Sequence, residues 1–174
     1  ERIDAAIENI NNSSRATNFM TPKNMMAKTF RDQVLKLSIS NKNIRNLINS
    51  GRLSEPYKFK NLKLKNKNKN DPILGSIYID FPIQKKTGEK IYLTDIISSQ
   101  YNLLSFSNKT PSILSNVTTI HVAKEKNKDA KFIDYTGIGF QRYSKGLHYL
   151  IRPDGYIIGI FDEISDEILE TYVY

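Results

Sequence analysis

Two histidines are the first residues of this chain that could carry chemistry. The ring nitrogens of His121 and His148 could act as general bases or as metal ligands. Neither histidine has Asp, Glu or Cys at a metal-ligand spacing, and no nucleophile-elbow pattern supports a Ser–His–Asp set. His121 lies in an apolar run that predicts a strand, and His148 opens another. We therefore interpret both as hydrogen-bonded structural residues rather than ligands.

Three further features of the sequence could indicate a redox, phosphate-binding or metal site, and we interpret none of them in that way. The sequence contains no cysteine, which excludes disulfides, thiolate metal sites and dithiol redox chemistry. Gly137-Ile138-Gly139 lacks the third glycine and the preceding apolar strand of a phosphate-binding motif, so we interpret it as a loop. We interpret the acidic residues near the C-terminus as a solvated helix face rather than a metal site: Asp162, Glu163, Asp166, Glu167 and Glu170. We predict no catalytic, cofactor-binding or metal-binding residue in this chain.

A run of lysines carries much of the formal net charge of +8. Nucleic-acid-binding segments usually add arginines and interleaved aromatic rings to such a charge. This run contains no arginine, and its nearby aromatic residues, Tyr57 and Phe59, both lie at its front edge. We interpret it as a solvated loop and do not expect a nucleic acid as partner. Weak, salt-sensitive association with polyanions is the alternative for residues 58–69. The lysines concerned are Lys58, Lys60, Lys63, Lys65, Lys67 and Lys69.

Residues 1–52 predict a helical segment. An apolar stripe of isoleucines predicts an opening helix that ends at residues 11–14, and Thr21-Pro22 predicts the N-cap and first residue of a second helix. A third, shorter helix is predicted to stop at Gly51. The predicted buried faces are Ile3, Ile7 and Ile10 in the first helix, Met26, Phe30, Val34 and Leu37 in the second, and Ile44, Leu47 and Ile48 in the third. Three short helices without a sheet bury little surface, so we expect this segment to dimerise or to depend on a partner.

Residues 53–174 predict an α/β domain, because the apolar period changes after a long polar connection. Arg152-Pro153-Asp154-Gly155 separates two apolar runs and predicts a hairpin, since proline presets φ and glycine tolerates the exit conformation. The order of strand, helix, strand, helix, hairpin and helix is that of a thioredoxin fold. The predicted strands span residues 77–79, 103–106, 117–122, 147–151 and 156–161, a turn spans 86–89, and helices start at Thr94, near Pro111, at Ile138 and after Ser165.

Several short motifs carry, in their order and spacing, a resemblance to a known family. They are Ser14-Arg15-Ala16-Thr17-Asn18-Phe19-Met20-Thr21-Pro22 with Phe30-Arg31-Asp32, Ser50-Gly51-Arg52-Leu53-Ser54, Thr87-Gly88 followed by Leu93-Thr94-Asp95, Leu103-Leu104-Ser105-Phe106, and Arg152-Pro153-Asp154-Gly155-Tyr156. With them, the chain resembles the C-terminal part of FAD-dependent aromatic hydroxylases of the phenol-hydroxylase type. The resemblance implies that residues 1–52 end the FAD and substrate domain. It also implies that residues 53–174 form the C-terminal thioredoxin-like domain.

The resemblance implies a parent enzyme that reduces FAD with NAD(P)H and inserts one oxygen atom of O2 into an aromatic ring. Its flavin motifs would lie upstream of Glu1, so the N-terminal FAD domain is the expected partner and no cofactor residue is carried over. An active thioredoxin places two cysteines after its first central strand, where Ser107 and Thr110 stand here. This part should therefore be redox-inert. The alternative is a free-standing, cysteine-less thioredoxin-like interaction domain.

Two expectations concern where the protein resides. No apolar run approaches the roughly 18 residues that a membrane-spanning helix needs. The opening residues show no charged-then-apolar leader. We therefore expect a soluble, cytoplasmic protein.

Overall fold

The computed structural model describes residues 2–48, 56–59, 71–107, 116–125 and 130–173. The chain divides into two compact units, Glu1–Tyr57 and Lys58–Tyr174, here called the helical unit and the sheet unit. The predicted cap at Gly51, the helix near Pro111 and the lysines from Lys60 to Lys69 lie outside the described residues.

The helical unit consists of α1 (Arg2–Met20), α2 (Met25–Ser40) and α3 (Lys42–Ile48). Two predicted boundaries are wrong. Residues 11–14 stay helical, because Asn and Ser inside a helix lower its stability by only about 0.5 kcal/mol each. The helix ends where the Thr21 hydroxyl donates to the Thr17 carbonyl, at 2.6 Å. The N-cap of α2 is Asn24, whose side chain accepts from the Ala27 amide at 2.8 Å, instead of Thr21.

Apart from Val34, which is half-buried, the predicted buried faces of the first two helices are exposed within this chain. Neither α1 nor α2 contains a buried residue, and Met26 and Phe30 are 84% and 66% exposed. At 100° per residue, Met26, Phe30 and Leu37 lie on one side of α2. On the same count Met25, Leu35 and Ile39, which are also exposed, lie on the opposite side. The helix α2 is therefore apolar on two sides, a pattern typical of helices between two other layers.

The described residues of the sheet unit form one seven-stranded mixed sheet. The strands are β1 (Pro82–Lys85), β2 (Lys90–Tyr92), β3 (Tyr101–Ser105), β4 (Val117–Ala123), β5 (Phe132–Ile133), β6 (His148–Ile151) and β7 (Ile157–Phe161). Their order is β2-β1-β5-β4-β3-β6-β7. Strands β3 and β4 are parallel, β6 runs antiparallel to β3, and β7 runs antiparallel to β6. A short α4 (Ile138–Arg142) precedes β6, and α5 (Asp166–Val173) follows β7.

The central order β4-β3-β6-β7, with one parallel pair and one hairpin, is the thioredoxin-like arrangement, so the predicted α/β fold class is confirmed. The predicted strand at residues 77–79 is wrong. Ile77 makes a single bridge to Tyr156, and the strand begins instead at Pro82. Proline is tolerated at the first position of a strand because it lacks only one ladder donor there.

The two faces of the sheet bury different layers. One face packs Leu104, Ile120 and Tyr149 against rings from outside the central strands, including Phe81 and Tyr143. The other face packs Leu103, Val117, Leu150 and Phe161 against Leu169 and Tyr172 of α5. This second layer buries one face of the last helix. The Ser165 hydroxyl caps that helix by accepting from the Ile168 amide at 3.4 Å.

The predicted hairpin is confirmed, and residues at its turn also pack against Phe59, which precedes most of the lysine run. The Gly155 amide donates to the Arg152 carbonyl at 2.8 Å, and Gly155 has φ of 84°. The Arg152 guanidinium pairs with Asp154 at 2.8 Å and lies 5.6 Å from the centre of the Phe59 ring. Phe59 packs on Tyr156, with 4.6 Å between the ring centres. The Arg-Pro-Asp-Gly motif thus has a structural function in holding the segment that precedes the lysine run.

Candidate functional site

Three buried polar side chains form a row across the middle of the sheet. Ser105, the last residue of β3, is paired with His121 of the parallel strand β4. The same Ser105 is paired with His148, the first residue of β6, on its other side. Directly paired residues project from the same face of a sheet. His121, Ser105 and His148 therefore lie side by side on the face that α5 covers, and we call them the histidine row.

The histidine row is buried and incompletely hydrogen-bonded. His121 and His148 are 2% and 4% exposed. The Nδ1 atoms of these two rings are the buried side-chain polar atoms without a hydrogen-bond partner in the described part of the chain. The Nε2 atom of His121 lies 2.7 Å from the Ser107 carbonyl oxygen. The carbonyl can only accept, so Nε2 carries the proton and Nδ1 of the neutral ring is a bare lone pair.

Burial also affects the proton affinity of His148. Desolvation lowers the pKa of His148 below its ordinary value of 6.5, and the neighbouring His121 lowers it further because two positive rings would repel each other. The ring of His148 is therefore neutral at pH 7. The predicted structural role of His121 agrees with its bond to Ser107, but the unpartnered Nδ1 atoms of both rings were not foreseen.

Other buried polar residues have the partners that a structural role requires. The Asp134 carboxylate accepts from the amides of Gly137 and Phe140, at 2.8 and 2.9 Å. These bonds hold the start of α4. The Asn102 side chain accepts from the Ser98 amide at 3.0 Å and donates to the Gln100 carbonyl at 2.8 Å. Sequence reasoning missed both residues. For Asp134 a signal existed, because Asp134-Tyr135-Thr136-Gly137 has the composition of a turn.

The turn after β3, where active thioredoxins carry their cysteines, is described only as far as Ser107. The ring of Phe106 is buried and stacks on Tyr143, with 5.2 Å between the ring centres. The Tyr143 hydroxyl accepts from the Ile79 amide at 2.7 Å and donates to the Ile79 carbonyl at 3.0 Å. Burial raises the pKa of Tyr143 above its ordinary value of 10.0. This face of the turn is a packed aromatic core, and Thr110 lies outside the described residues.

The structure separates the remaining candidate residues. Gly137 is the N-cap of α4 and Gly139 lies in its first turn, so the loop interpretation of this motif is wrong for Gly139, while the predicted helix start at Ile138 is confirmed. A Cβ on Gly139 would lie 2.4 Å from the Phe81 ring. Glycine is needed there for close packing rather than for a phosphate. Lys58 donates through Nζ to the Pro72 carbonyl. The five C-terminal acidic residues are all exposed. In the described ranges no three His, Cys, Asp or Glu side chains gather as a metal site.

Comparisons with known proteins show likenesses of structure. No protein-family model matches the chain, and no curated protein matches it by sequence. The flavin-dependent monooxygenase PieE, solved with FAD and substrate, is 11% identical with a TM-score of 0.52. The match covers 84% of this chain and 28% of PieE. At this identity the likeness shows the fold alone.

Two further structures have lower TM-scores. OxyS, an anhydrotetracycline hydroxylase from Streptomyces rimosus, is 20% identical over 85% of this chain and 28% of its own, with a TM-score of 0.44. A thioredoxin-like protein from Bacteroides caccae is 14% identical over 57% of this chain and 48% of its own, with a TM-score of 0.43. The chain thus spans little more than a quarter of the two monooxygenases. None of the helices in the described ranges is long and apolar enough to span a membrane.

Proposed function

We propose that this chain is the C-terminal part of a flavin-dependent monooxygenase that hydroxylates an aromatic substrate with NAD(P)H and O2. The observation that carries the proposal is the extent of the likeness to PieE. The sheet unit makes up about two thirds of the chain, so a match over 84% includes residues of the helical unit as well. A likeness to a thioredoxin-like domain alone would stop at the sheet unit. A helical segment followed by such a domain is also the order that the sequence motifs predict.

In this proposal the chain has a structural role in the enzyme and performs no redox step. A dithiol exchange needs two thiols, and the sequence has no cysteine. Phe106 directly follows β3, at the start of the turn where active thioredoxins carry their cysteines, and its ring is buried in the aromatic core. FAD and NAD(P)H would bind upstream of Glu1, because this sequence has no dinucleotide fingerprint. Since NAD(P)H is a reductant of the cytoplasm, the proposal includes a cytoplasmic location.

The proposed partner of the helical unit is the FAD domain of the same polypeptide. Both apolar sides of α2 are exposed within this chain, as is the Ile3, Ile7 and Ile10 stripe of α1. Apolar surface of this extent is expected to be covered in the intact protein. An upstream domain of the same chain is present at a high effective concentration, so it competes well against a second copy.

The test uses Phe30→Ser on α2, compared between the chain of residues 1–174 and the full-length polypeptide. Phe30 is 66% exposed here, so we expect the isolated chain to unfold at the same urea concentration with and without the substitution. If the FAD domain covers Phe30, the full-length protein should lose about 2–4 kcal/mol of stability, as for a buried aromatic residue made small. The matched control is Lys28→Ser, an exposed position on the same helix.

Equal, small effects of Phe30→Ser in both proteins would contradict the proposed contact. A natural protein that consists of residues 1–174 alone and binds no flavin would contradict the monooxygenase assignment itself. In that case the free-standing interaction domain would be the better description.

A further inference from the structure

We propose that the histidine row and the helix α5 form an acid-sensitive switch, in which protonation of His148 releases α5 from the sheet. The release is local, since the strands stay paired while the helix detaches. This inference goes beyond the proposed function and does not rest on it, because it concerns residues of the sheet unit alone.

The first argument is the contact that joins the row to α5. Phe161, the last residue of β7, is paired with His148 and therefore projects from the same face of the sheet. The Phe161 ring meets the Tyr172 ring of α5 edge to face, with 5.3 Å between the ring centres. Both rings are buried. The helix α5 therefore covers the sheet directly beside His148.

The second argument is that the closed row has no acceptor for an added proton. His121 donates its Nε2–H to the Ser107 carbonyl, so a second proton on this ring would go to Nδ1. A positively charged His148 would likewise carry a proton on Nδ1. Both Nδ1 atoms are buried and lack a hydrogen-bond partner among the described residues. Burying an unpaired N–H of a charged ring is costly, so the charged form requires the row to open to water.

The third argument is the charge around His148. Desolvation and then the neighbouring His121 lower its pKa, and no carboxylate in the described ranges offsets them. The titratable group that α5 packs on this face is the Tyr172 phenol, which stays neutral because burial raises its pKa. The charged side chains on the surrounding elements are all exposed: Lys124 and Glu125 after β4, Lys145 before β6, Asp162 and Glu163 after β7, and Asp166, Glu167 and Glu170 of α5. His148 therefore stays neutral while it is covered.

The fourth argument is the way in which α5 is attached. His148 belongs to β6, which is paired with β3 on one side and with β7 on the other, so β6 cannot leave without breaking two ladders. The helix packs on the sheet through side chains such as Leu169 and Tyr172, and it can detach with both ladders intact. Proteins commonly open through such local units at a lower free energy than global unfolding. Opening at α5 is thus the least costly way to expose the row.

The experiment measures amide hydrogen exchange along residues 1–174 from pH 7.5 to pH 5.0, expressed as protection factors so that the pH dependence of the chemical step is removed. The opening constant of α5 should rise by up to about 30-fold over this range, the limit for one histidine that has an ordinary proton affinity once exposed. The amides of β3 should stay better protected than those of α5 at every pH.

Two variants identify the group responsible. The rise should vanish in His148→Gln, because glutamine does not titrate in this range. The matched control is Asp162→Asn, which removes an exposed carboxylate next to Phe161, the residue paired with His148. The rise should persist in this control. The chain has two histidines and both belong to the row, so no other imidazole contributes to a transition between pH 5 and pH 7.

A second measurement decides the matter if His148→Gln fails to fold. Magnetic resonance titration of the wild-type imidazole rings should show that His148 takes up its proton at the pH at which most molecules have lost the protection of α5. Titration of His148 while α5 stays protected would overturn the proposal. So would protection of α5 that does not depend on pH, or a pH dependence that persists in His148→Gln. Equal protection of α5 and β3 would also overturn it, because the sheet unit would then open only as a whole.

Discussion

Gly139→Ala should destabilise the sheet unit, although alanine is the better helix former. A Cβ on Gly139 would lie 2.4 Å from Cε2 of Phe81 and 2.8 Å from both Cδ2 and Cζ of the same ring. Phe81 cannot swing away easily, because it is 1% exposed and packs against Phe106 and Tyr143 at ring-centre distances of 6.1 and 5.8 Å. Overpacking of this kind costs about 1–3 kcal/mol.

The helix propensity of alanine offsets part of that cost, by about 1 kcal/mol. We expect a net loss of up to about 2 kcal/mol, which lowers the urea midpoint by up to about 1 M for an m-value near 2 kcal/mol/M. Tyrosine fluorescence can follow the transition, since Tyr143 and Tyr149 lie in the same core and the chain has no tryptophan.

A double-mutant cycle tests the reason for the loss. In a Phe81→Leu background the ring is gone, so Gly139→Ala should become neutral or stabilising. Gly137→Ala is the matched control. Its Cβ would meet no atom within 4 Å, but its φ of 75° is unfavourable for alanine by about 1–2 kcal/mol. That loss should persist in the Phe81→Leu background. A stabilising Gly139→Ala in the wild-type background would refute the packing argument.

Three further predictions concern buried polar groups. Tyr143→Phe removes the hydroxyl that bonds both the amide and the carbonyl of Ile79, so urea unfolding should show a loss of about 1–3 kcal/mol. Asp134→Ala should cost about 1–2 kcal/mol by freeing the amides at the start of α4, and Asp134→Asn should cost less because one amide oxygen still accepts. Acid should destabilise the sheet unit through His148. Its folded pKa lies below the unfolded value of 6.5, so the unfolded chain binds more protons as the pH falls below about 6.5. Stability should therefore be full above that pH and decline toward pH 5, and His148→Gln should flatten the decline.

Each of these predictions has a contradicting result. A Tyr143→Phe protein as stable as the wild type would mean that water replaces the hydroxyl at no cost. Equal losses of stability in Asp134→Ala and Asp134→Asn would contradict the interpretation that both carboxylate oxygens of Asp134 accept from amides of α4. An unchanged pH profile in His148→Gln would assign the acid sensitivity to other groups.

Local patterns predicted the C-terminal half of the chain best. The hairpin turn, strand β4, α4 and the Ser165 cap each depend on a few neighbouring residues whose backbone preferences agree with the fold. The predicted start of α2 is wrong, although Thr21-Pro22 is a good N-cap signal. The Thr21 hydroxyl instead donates to the Thr17 carbonyl at the end of α1. A competing bond to the preceding helix overrode the local preference.

The histidine row could not be read from periodicity. His121 and His148 are far apart in sequence, and only the order β4-β3-β6 places Ser105 between them. A thioredoxin-like fold places β3 between β4 and β6. The predicted fold therefore implies that the strands carrying His121 and His148 flank β3. The register could not be predicted in this way, because a shift of one residue would have placed the rings on opposite faces. Likewise, the apolar faces of α2 indicate a surface that another part of the protein buries, but they do not indicate which part.

The most direct test of the account is a flavin titration of two proteins, residues 1–174 and the full-length polypeptide. We predict that the full-length protein purifies yellow and oxidises NAD(P)H in the presence of an aromatic substrate. The chain of residues 1–174 should stay colourless at saturating FAD. Flavin binding or turnover by residues 1–174 alone, or a full-length protein without flavin, would contradict the account.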